Sequence, residues 1–274
     1  MSTHRACACD RQTTLGQEAP PPPPRARIGD AAAETSRRDV LTGVAAVATL
    51  AVAPGVFLIN ADVAAKPDDQ PVSAEVRWGM LVDVNKCAEN CSACVEACRE
   101  EHGWSSLGRP LTDPQWIRKL SLKDRTTGRT FSLPVMCQHC ESPPCVDVCP
   151  TGASFRRADG IVLVDRHTCI GCRYCMMACP YNARLFVHES LDNQKAHMPR
   201  GKGCVESCTL CAHRIDRDQQ PACVERCVAT GHQALIFGNL NDPNSEIVRR
   251  LATFASTRIR SDLKTNPGIH YHGL

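Results

Sequence analysis

The sequence predicts an α+β fold assembled from a duplicated module, with short hairpins and brief helices arranged around cysteine-lined loops. Three observations carry this expectation. Sixteen of the nineteen cysteines fall into four groups of four between Cys87 and Cys227. The groups repeat in their flanking residues as well as in their spacing. Hydrophobic residues make up 43% of the 274, but that share counts the cysteines and only 4% are aromatic. The ordinary apolar core is therefore thin, and bound groups must help to hold the chain together.

The chain opens with residues 1 to 35, whose proline run Pro20 to Pro24 continues neither a helix nor a central strand, so this start reads as disordered. Ser36-Arg37-Arg38-Asp39-Val40-Leu41 follows, then an Ala/Val-rich run from Val40 to Ile59 interrupted by Thr42, Thr49 and Pro54-Gly55. A twin arginine just ahead of a weakly hydrophobic run is the address for export by the twin-arginine route. Small residues at Val63-Ala64-Ala65 suit cleavage, which makes residues 1 to 65 a signal segment and places the mature start near Lys66. Two other readings compete. The run is just long enough to be an uncleaved anchor, and an arginine pair can be no more than chance charge. No later stretch is long and apolar enough to span a bilayer, so membrane association of the mature chain would come through a partner. The expected location is periplasmic. A formal charge of +3, with no Lys/Arg block interleaved with aromatics, argues against nucleic acid as a partner.

The first cysteine group is Cys87, Cys91, Cys94 and Cys98. The second is Cys137, Cys140, Cys145 and Cys149, followed by Pro150. Cys169, Cys172, Cys175 and Cys179, followed by Pro180, form the third, and Cys208, Cys211, Cys223 and Cys227 the fourth. Cys204 is left over and reads as a spare buried thiol. The third group, Cys-Ile-Gly-Cys-Arg-Tyr-Cys-Met-Met-Ala-Cys-Pro, is the C-x2-C-x2-C-x3-C-P run of bacterial ferredoxins. Three closely spaced thiols let one tight loop wrap three corners of an iron-sulfur cube, and Gly171 relieves the turn. The fourth thiol, beyond the turn, points to a neighbouring cube. Proline then fixes the departure of the chain.

Zinc is the competing reading, strongest for the fourth group, whose Cys208/Cys211 and Cys223/Cys227 pairs form two hooks as in a structural zinc-binding protein. It suits the first and third groups poorly, because three crowded cysteines exceed what one tetrahedral ion takes from one loop. Disulfides within these short spacings would close strained loops. Cysteines in an oxidising compartment normally pair as disulfides, which would remove cluster ligands. The twin-arginine route carries folded, cofactor-loaded cargo, so the address and the motifs agree.

The flanks supply the repeat. Leu81-Val82-Asp83 precedes Cys87 as Leu163-Val164-Asp165 precedes Cys169, and Cys145-Val146-Asp147-Val148-Cys149 resembles Cys223-Val224-Glu225-Arg226-Cys227. The unit is a two-cluster ferredoxin-like module used twice, so ligands should cross between groups throughout. Four 4Fe-4S clusters are expected. One takes Cys169, Cys172, Cys175 and Cys149, and its neighbour takes Cys137, Cys140, Cys145 and Cys179. Of the outer pair, one takes Cys87, Cys91, Cys94 and Cys227, and the last Cys208, Cys211, Cys223 and Cys98. Three residues separate Cys87 from Cys91 where two are usual, and no proline follows Cys98 or Cys227, so the cluster on Cys87 departs most from the pattern.

Around these loops, short apolar runs predict strands at Gly79 to Val84, Phe131 to Val135, Ile161 to Val164, Arg184 to His188 and Ala234 to Phe237. Val95 to Glu101 and Cys175 to Ala178 are expected as short helices. The cluster-bearing domain is placed at 66–240. Beyond it, Asn244 to Lys264 reads as an amphipathic packing helix with Ile247, Leu251 and Phe254 on one face. Asn266 to Leu274 reads as an arm that docks on a neighbour or stays disordered.

The four motifs and the leader resemble the four-cluster ferredoxin-type subunits of membrane redox complexes, among them polysulfide reductase, nitrite reductase and hydrogenase-linked chains. The likeness covers residues 78 to 240. Trp78-Gly79-Met80, Trp116-Ile117-Arg118-Lys119, Leu133 to Cys140 and Gly238 to Ser245 are most similar to the periplasmic iron-sulfur subunits of sulfite-reductase-linked membrane complexes. That resemblance implies an integral membrane quinone-reactive subunit and a multihaem cytochrome c subunit as partners, with a cytoplasmic arm carrying a membrane cytochrome b. It implies electron transfer in sulfur metabolism, with no active site in this chain. The absence of a Ser/His/Asp order, a Gly-rich phosphate loop and an HExxH helix agrees with a chain that has no substrate pocket of its own. A molybdenum oxidoreductase or a hydrogenase would use the same kind of subunit. His139, His167 and His188 sit near cluster loops, where a histidine either tunes a sulfide or is merely solvated. Arg173, Lys202 and Arg226 either raise potentials or are surface charges. Trp104 and Trp116 read as packing over a cluster, or as partner anchors.

Overall fold

Residues 51–53, 56–57, 72–192 and 194–274 are described in the computed structural model, which divides into two units, 1–61 and 62–274. In the first unit Ala51–Ala53 (β1) and Val56–Phe57 (β2) pair antiparallel. The twin arginines, the cleavage point near Lys66, Cys7 and Cys9 lie outside the described residues.

In the second unit the run Trp78–Asp83 forms β3, whose four central residues are buried without alternation, as in a strand covered on both faces. Leu235–Asn239 (β10) lies antiparallel to it, with Leu235 opposite Val82 and Asn239 opposite Trp78. On its other side Ile269–His272 (β12) runs parallel, with Ile269 opposite Met80. Ser256–Thr257 (β11) closes the edge against β12. Gly79 is required by this crowding, since a Cβ there would lie 2.6 Å from the Gly268 carbonyl oxygen.

Three two-stranded ribbons complete the β structure: β4 (Ile117–Lys123) with β5 (Thr130–Met136), β6 (Ser154–Arg156) with β7 (Val162–Val164), and β8 (Leu185–Phe186) with β9 (Val205–Glu206). The helices are short: α1 (Ala93–His102), α2 (Pro144–Asp147), α3 (Tyr174–Ala178), α4 (Ala212–Ile215), α5 (Ala222–Ala229) and α6 (Glu246–Thr253). Gly103 stops α1 by turning left-handed and donating its amide to the Arg99 carbonyl.

The strand entering the first cysteine group, β3, is bonded to the strand leaving the fourth, β10. Likewise the strand entering the third, β7, is bonded to the strand leaving the second, β6. The helices follow suit, α1 packing on α5 and α2 on α3. Each pairing draws two distant cysteine groups to one place.

Three expectations change. The helix expected over Asn244 to Lys264 stops at Thr253, because Phe254 is extended and Ser256–Thr257 joins the sheet. Ile247 is fully buried, but Phe254, expected on the same face, is exposed, and Ile259 packs on the core from a turn beyond β11. The strand expected from Arg184 to His188 contracts to Leu185–Phe186. The segment Asn266 to Leu274, expected as an outlying arm, supplies β12 to the chain's own central sheet, and Tyr271 is wholly buried there. Among the described residues no helix is long and apolar enough to cross a membrane.

Candidate metal centres

The residue just before the second cysteine has a positive φ in three of the four groups: His139 at 43°, Gly171 at 69° and Leu210 at 51°. That conformation turns successive backbone amides toward one concavity, the arrangement that receives anionic groups. For His139 and Leu210 it carries strain of about 1–3 kcal/mol, tolerated where surrounding structure enforces it. At Gly171 a side chain would run into the Gly203 carbonyl oxygen. The first group, with its extra residue, solves the loop differently. Lys119 reaches over from β4 and donates its ammonium to the carbonyls of Ala88, Glu89 and Cys91.

Three hollows of nearly equal empty volume, counting their mouths, are each lined by four thiols. The first, about 310 Å³, is bounded by Cys149, Cys169, Cys172 and Cys175. The second, about 300 Å³, is bounded by Cys137, Cys140, Cys145 and Cys179. Cys87, Cys91, Cys94 and Cys227 bound the third, about 310 Å³. The remaining four, Cys98, Cys208, Cys211 and Cys223, are buried and bear on one another electrostatically. In every set one thiol comes from a different group than the other three. All seventeen cysteines from Cys87 to Cys227 are free.

Burial makes these thiols reluctant to ionise alone. Desolvation, with the charge of neighbouring thiols, pushes Cys94 up to about 12, and desolvation does the same for Cys137. Cys140, Cys175 and Cys211 rise to about 11, again chiefly by burial. Cys98, Cys208 and Cys223 are driven higher still. At Cys149 the upward push of burial is outweighed by hydrogen bonds from the Ser154 amide and Thr151. A dry site ringed by thiols suits a soft cationic group that takes thiolates and releases their protons. The three-plus-one thiol sets, with positive-φ turns that aim backbone amides inward, have the donor chemistry that a polyatomic iron-sulfur cube takes. Donors already face the sulfurs: the Ala234 amide approaches Cys227 Sγ at 3.3 Å, the Val205 amide Cys169 Sγ at 3.5 Å, and the Trp104 indole Cys98 Sγ at 3.5 Å.

The polar candidates divide. His139 is buried; its Nδ1 accepts from the Val162 amide at 3.0 Å, and its Nε2 has no partner. His167 and His188 are exposed, the latter edge-on to Phe186. Arg173, exposed and stacked on Phe186 at 3.8 Å, lines the hollow of Cys149, Cys169, Cys172 and Cys175, whereas Arg226, paired with Glu100 at 2.9 Å, and solvent-facing Lys202 line none of the three hollows. Trp104 and Trp116 are both buried, which removes them as exposed anchors. Cys204 lies outside the four sets and donates to the Arg166 carbonyl at 3.4 Å.

Two contacts escaped the sequence. His102 Nε2 lies 3.3 Å from Cys211 Sγ, and Arg184 donates to Cys145 Sγ at 3.2 Å. His102 had a signal, since Cys94, Cys98 and His102 follow at four-residue steps along one face of α1. Arg184 had little, being one cation among apolar neighbours. Near Cys211, Glu101 gathers His213 at 2.8 Å, Arg214 at 3.1 Å and His197 at 3.6 Å, and the other ring nitrogen of His213, Nδ1, is buried without a partner.

Buried Glu206 pins the frame around these sites. It receives two bonds from Arg200, at 2.9 and 2.7 Å, and one from the Trp116 indole at 2.9 Å. Arg200 also donates to the Gly103 carbonyl, which ties α1 to β9. Glu206→Gln leaves Arg200 buried without its counter-charge and should cost about 3–5 kcal/mol in denaturant unfolding of the loaded protein. An unchanged unfolding midpoint would show that the pair contributes nothing.

Comparison with known proteins agrees with this chemistry. The family described as 4Fe-4S dicluster domain matches residues 86–153, and a second of the same description matches 129–239, which takes in the zinc-like fourth group. Two such domains are consistent with four clusters. Iron-sulfur subunit 1 of an Hdr-like menaquinol oxidoreductase from Archaeoglobus fulgidus is 42% identical, over 75% of this chain and 86% of its own length. The protein NrfC of Escherichia coli is 38% identical over 86% of this chain and 94% of its own. A tetrathionate reductase subunit of Salmonella typhimurium is 35% identical, over 86% of this chain and 84% of its own.

Proposed function

The chain belongs to the 4Fe-4S dicluster family of ferredoxin-type iron-sulfur subunits, and from that premise we propose that it relays electrons within a membrane-associated oxidoreductase complex. When bound, a 4Fe-4S cluster supplies reversible one-electron chemistry. The chain's part is to hold four such groups on the sixteen cysteines in crossed sets. The juxtaposition of Cys149 with Cys169, Cys172 and Cys175, and of Cys179 with Cys137, Cys140 and Cys145, carries the reading. Each loop then gives three thiols to one site and one to the next, which keeps successive sites side by side. The two strand-and-helix pairings favour a duplicated two-cluster module as the origin of this pattern.

The finer assignment is the periplasmic iron-sulfur subunit of a sulfite-reductase-linked complex, DsrO. In it the relay joins a quinone-reactive membrane subunit to a multihaem cytochrome c, after export by the twin-arginine leader. The A. fulgidus relative, named for menaquinol, supports the quinone side. No catalytic role is assigned to this chain. A second reading places it beside the catalytic subunit of a molybdenum oxidoreductase or a hydrogenase, and the likeness to a tetrathionate reductase subunit supports a reductase other than a sulfite-linked one as the partner. Isolation of the native complex from membranes separates the two. The first expects c-type haem and bleaching of the visible iron-sulfur absorption on adding quinol; stoichiometric molybdenum or nickel selects the second.

A further inference from the structure

Arg184 is 2% exposed, yet among the described residues no carboxylate pairs with it. A buried cation without a counter-charge is costly, so its surroundings must supply one. What surrounds it is sulfur. One terminal nitrogen, Nη2, donates to Cys145 Sγ at 3.2 Å and to Ser154 Oγ at 2.9 Å. Cys137 and Cys175 also bear on its charge, and buried His139 lies nearby. Nε and Nη1 are buried and have no partner, which leaves two donors unanswered by the protein.

The placement is between two thiol sets. Arg184 lines the hollow of Cys137, Cys140, Cys145 and Cys179. Its second acceptor, Ser154, gives its own amide to Cys149 Sγ at 3.3 Å, and Cys149 belongs to the adjoining hollow with Cys169, Cys172 and Cys175. A continuous line of hydrogen bonds therefore runs from a thiol of one set, through Arg184 and Ser154, to a thiol of the next. We propose that Arg184 is the shared counter-charge of the two inner iron-sulfur sites, raising both reduction potentials and tying the sites together through Ser154. This rests on the cluster reading given above. A cluster held by four thiolates is anionic and gains a further negative charge on reduction, so a fixed guanidinium favours the reduced form.

The test uses the full chain, loaded and kept anaerobic, with Arg184→Met and Arg184→Lys, in redox titrations followed by electron paramagnetic resonance. In Arg184→Met two of the four clusters should become at least tenfold harder to reduce, a fall of about 59 mV for one electron, while the other two stay put. Arg184→Lys keeps the charge but not the planar fork, and should move the same two clusters by less. Should Arg184→Met fail to take up iron, Arg184→Gln, which is uncharged but polar, decides on the same criterion. Four unmoved potentials, or an equal fall of all four, would overturn the proposal. A wild-type chain without iron and sulfide would instead overturn the cluster reading beneath it.

Discussion

Removal of iron by a chelator under anaerobic conditions is expected to abolish cooperative unfolding of this chain. Of the 28 buried residues in its main apolar cluster eight are cysteines, and Cys145 and Cys175 account for half of the four in the second. The elements between them are too short to stand alone, with helices of four, five and eight residues and ribbons of two or three pairs. Without the metal groups the thiols of four separate loops face one another across hollows, and only short strand and helix pairings join those loops. A domain's net stability is about 5–15 kcal/mol. Structural metal ions in small thiol-rich domains contribute binding free energies of about 10–16 kcal/mol, the same order as the whole stability. Loss of near-native circular dichroism and of the thermal transition on chelation is the expected readout. Metal-free protein that still melts cooperatively would show that the apolar frame of β3, β10 and β12 suffices.

Replacing Cys179 by alanine should strip iron from a site whose other three thiols belong to a different motif. Iron should drop from about sixteen to about twelve atoms per chain, one four-iron cluster fewer. Alkylation under anaerobic conditions, mapped by mass spectrometry, identifies the site. Cys137, Cys140 and Cys145 should become reactive while Cys169, Cys172 and Cys175, the neighbours of Cys179 in sequence, remain protected. Cys149→Ala should give the reverse pattern. If loss of Cys179 instead exposed Cys169, Cys172 and Cys175, each loop would serve its own cluster and the side-by-side order of sites would have no basis.

The cysteine grouping was legible because ligand spacing is local. A C-x2-C-x2-C-x3-C-P run states within twelve residues which thiols can share a cube and which one must leave. The strands Gly79 to Val84 and Phe131 to Val135 were legible for the same reason, as short, mostly apolar runs. Partners distant in sequence were not. The pairing of Ile269 with Met80 depends on a chain return that no local pattern announces. The segment after Thr253 shows the opposite failure, for Phe254 has the spacing of a helix face with Ile247 and Leu251 but lies in extended backbone and is exposed. The tuning groups were misplaced for a further reason. Lys202 and Arg226 stand near cysteines in sequence yet face solvent, Arg173 alone of the three lines a thiol hollow, and Arg184 and His102 reach cysteines far from them along the chain. Proximity in sequence locates ligands, but it does not say which charges the fold will bury.

Anaerobic iron and acid-labile sulfide analysis of the purified full chain tests the central claim most directly. Sixteen thiols in four crossed sets predict about sixteen of each per chain, four per cluster. A colourless protein with zinc in the thiol sets and no sulfide would contradict it.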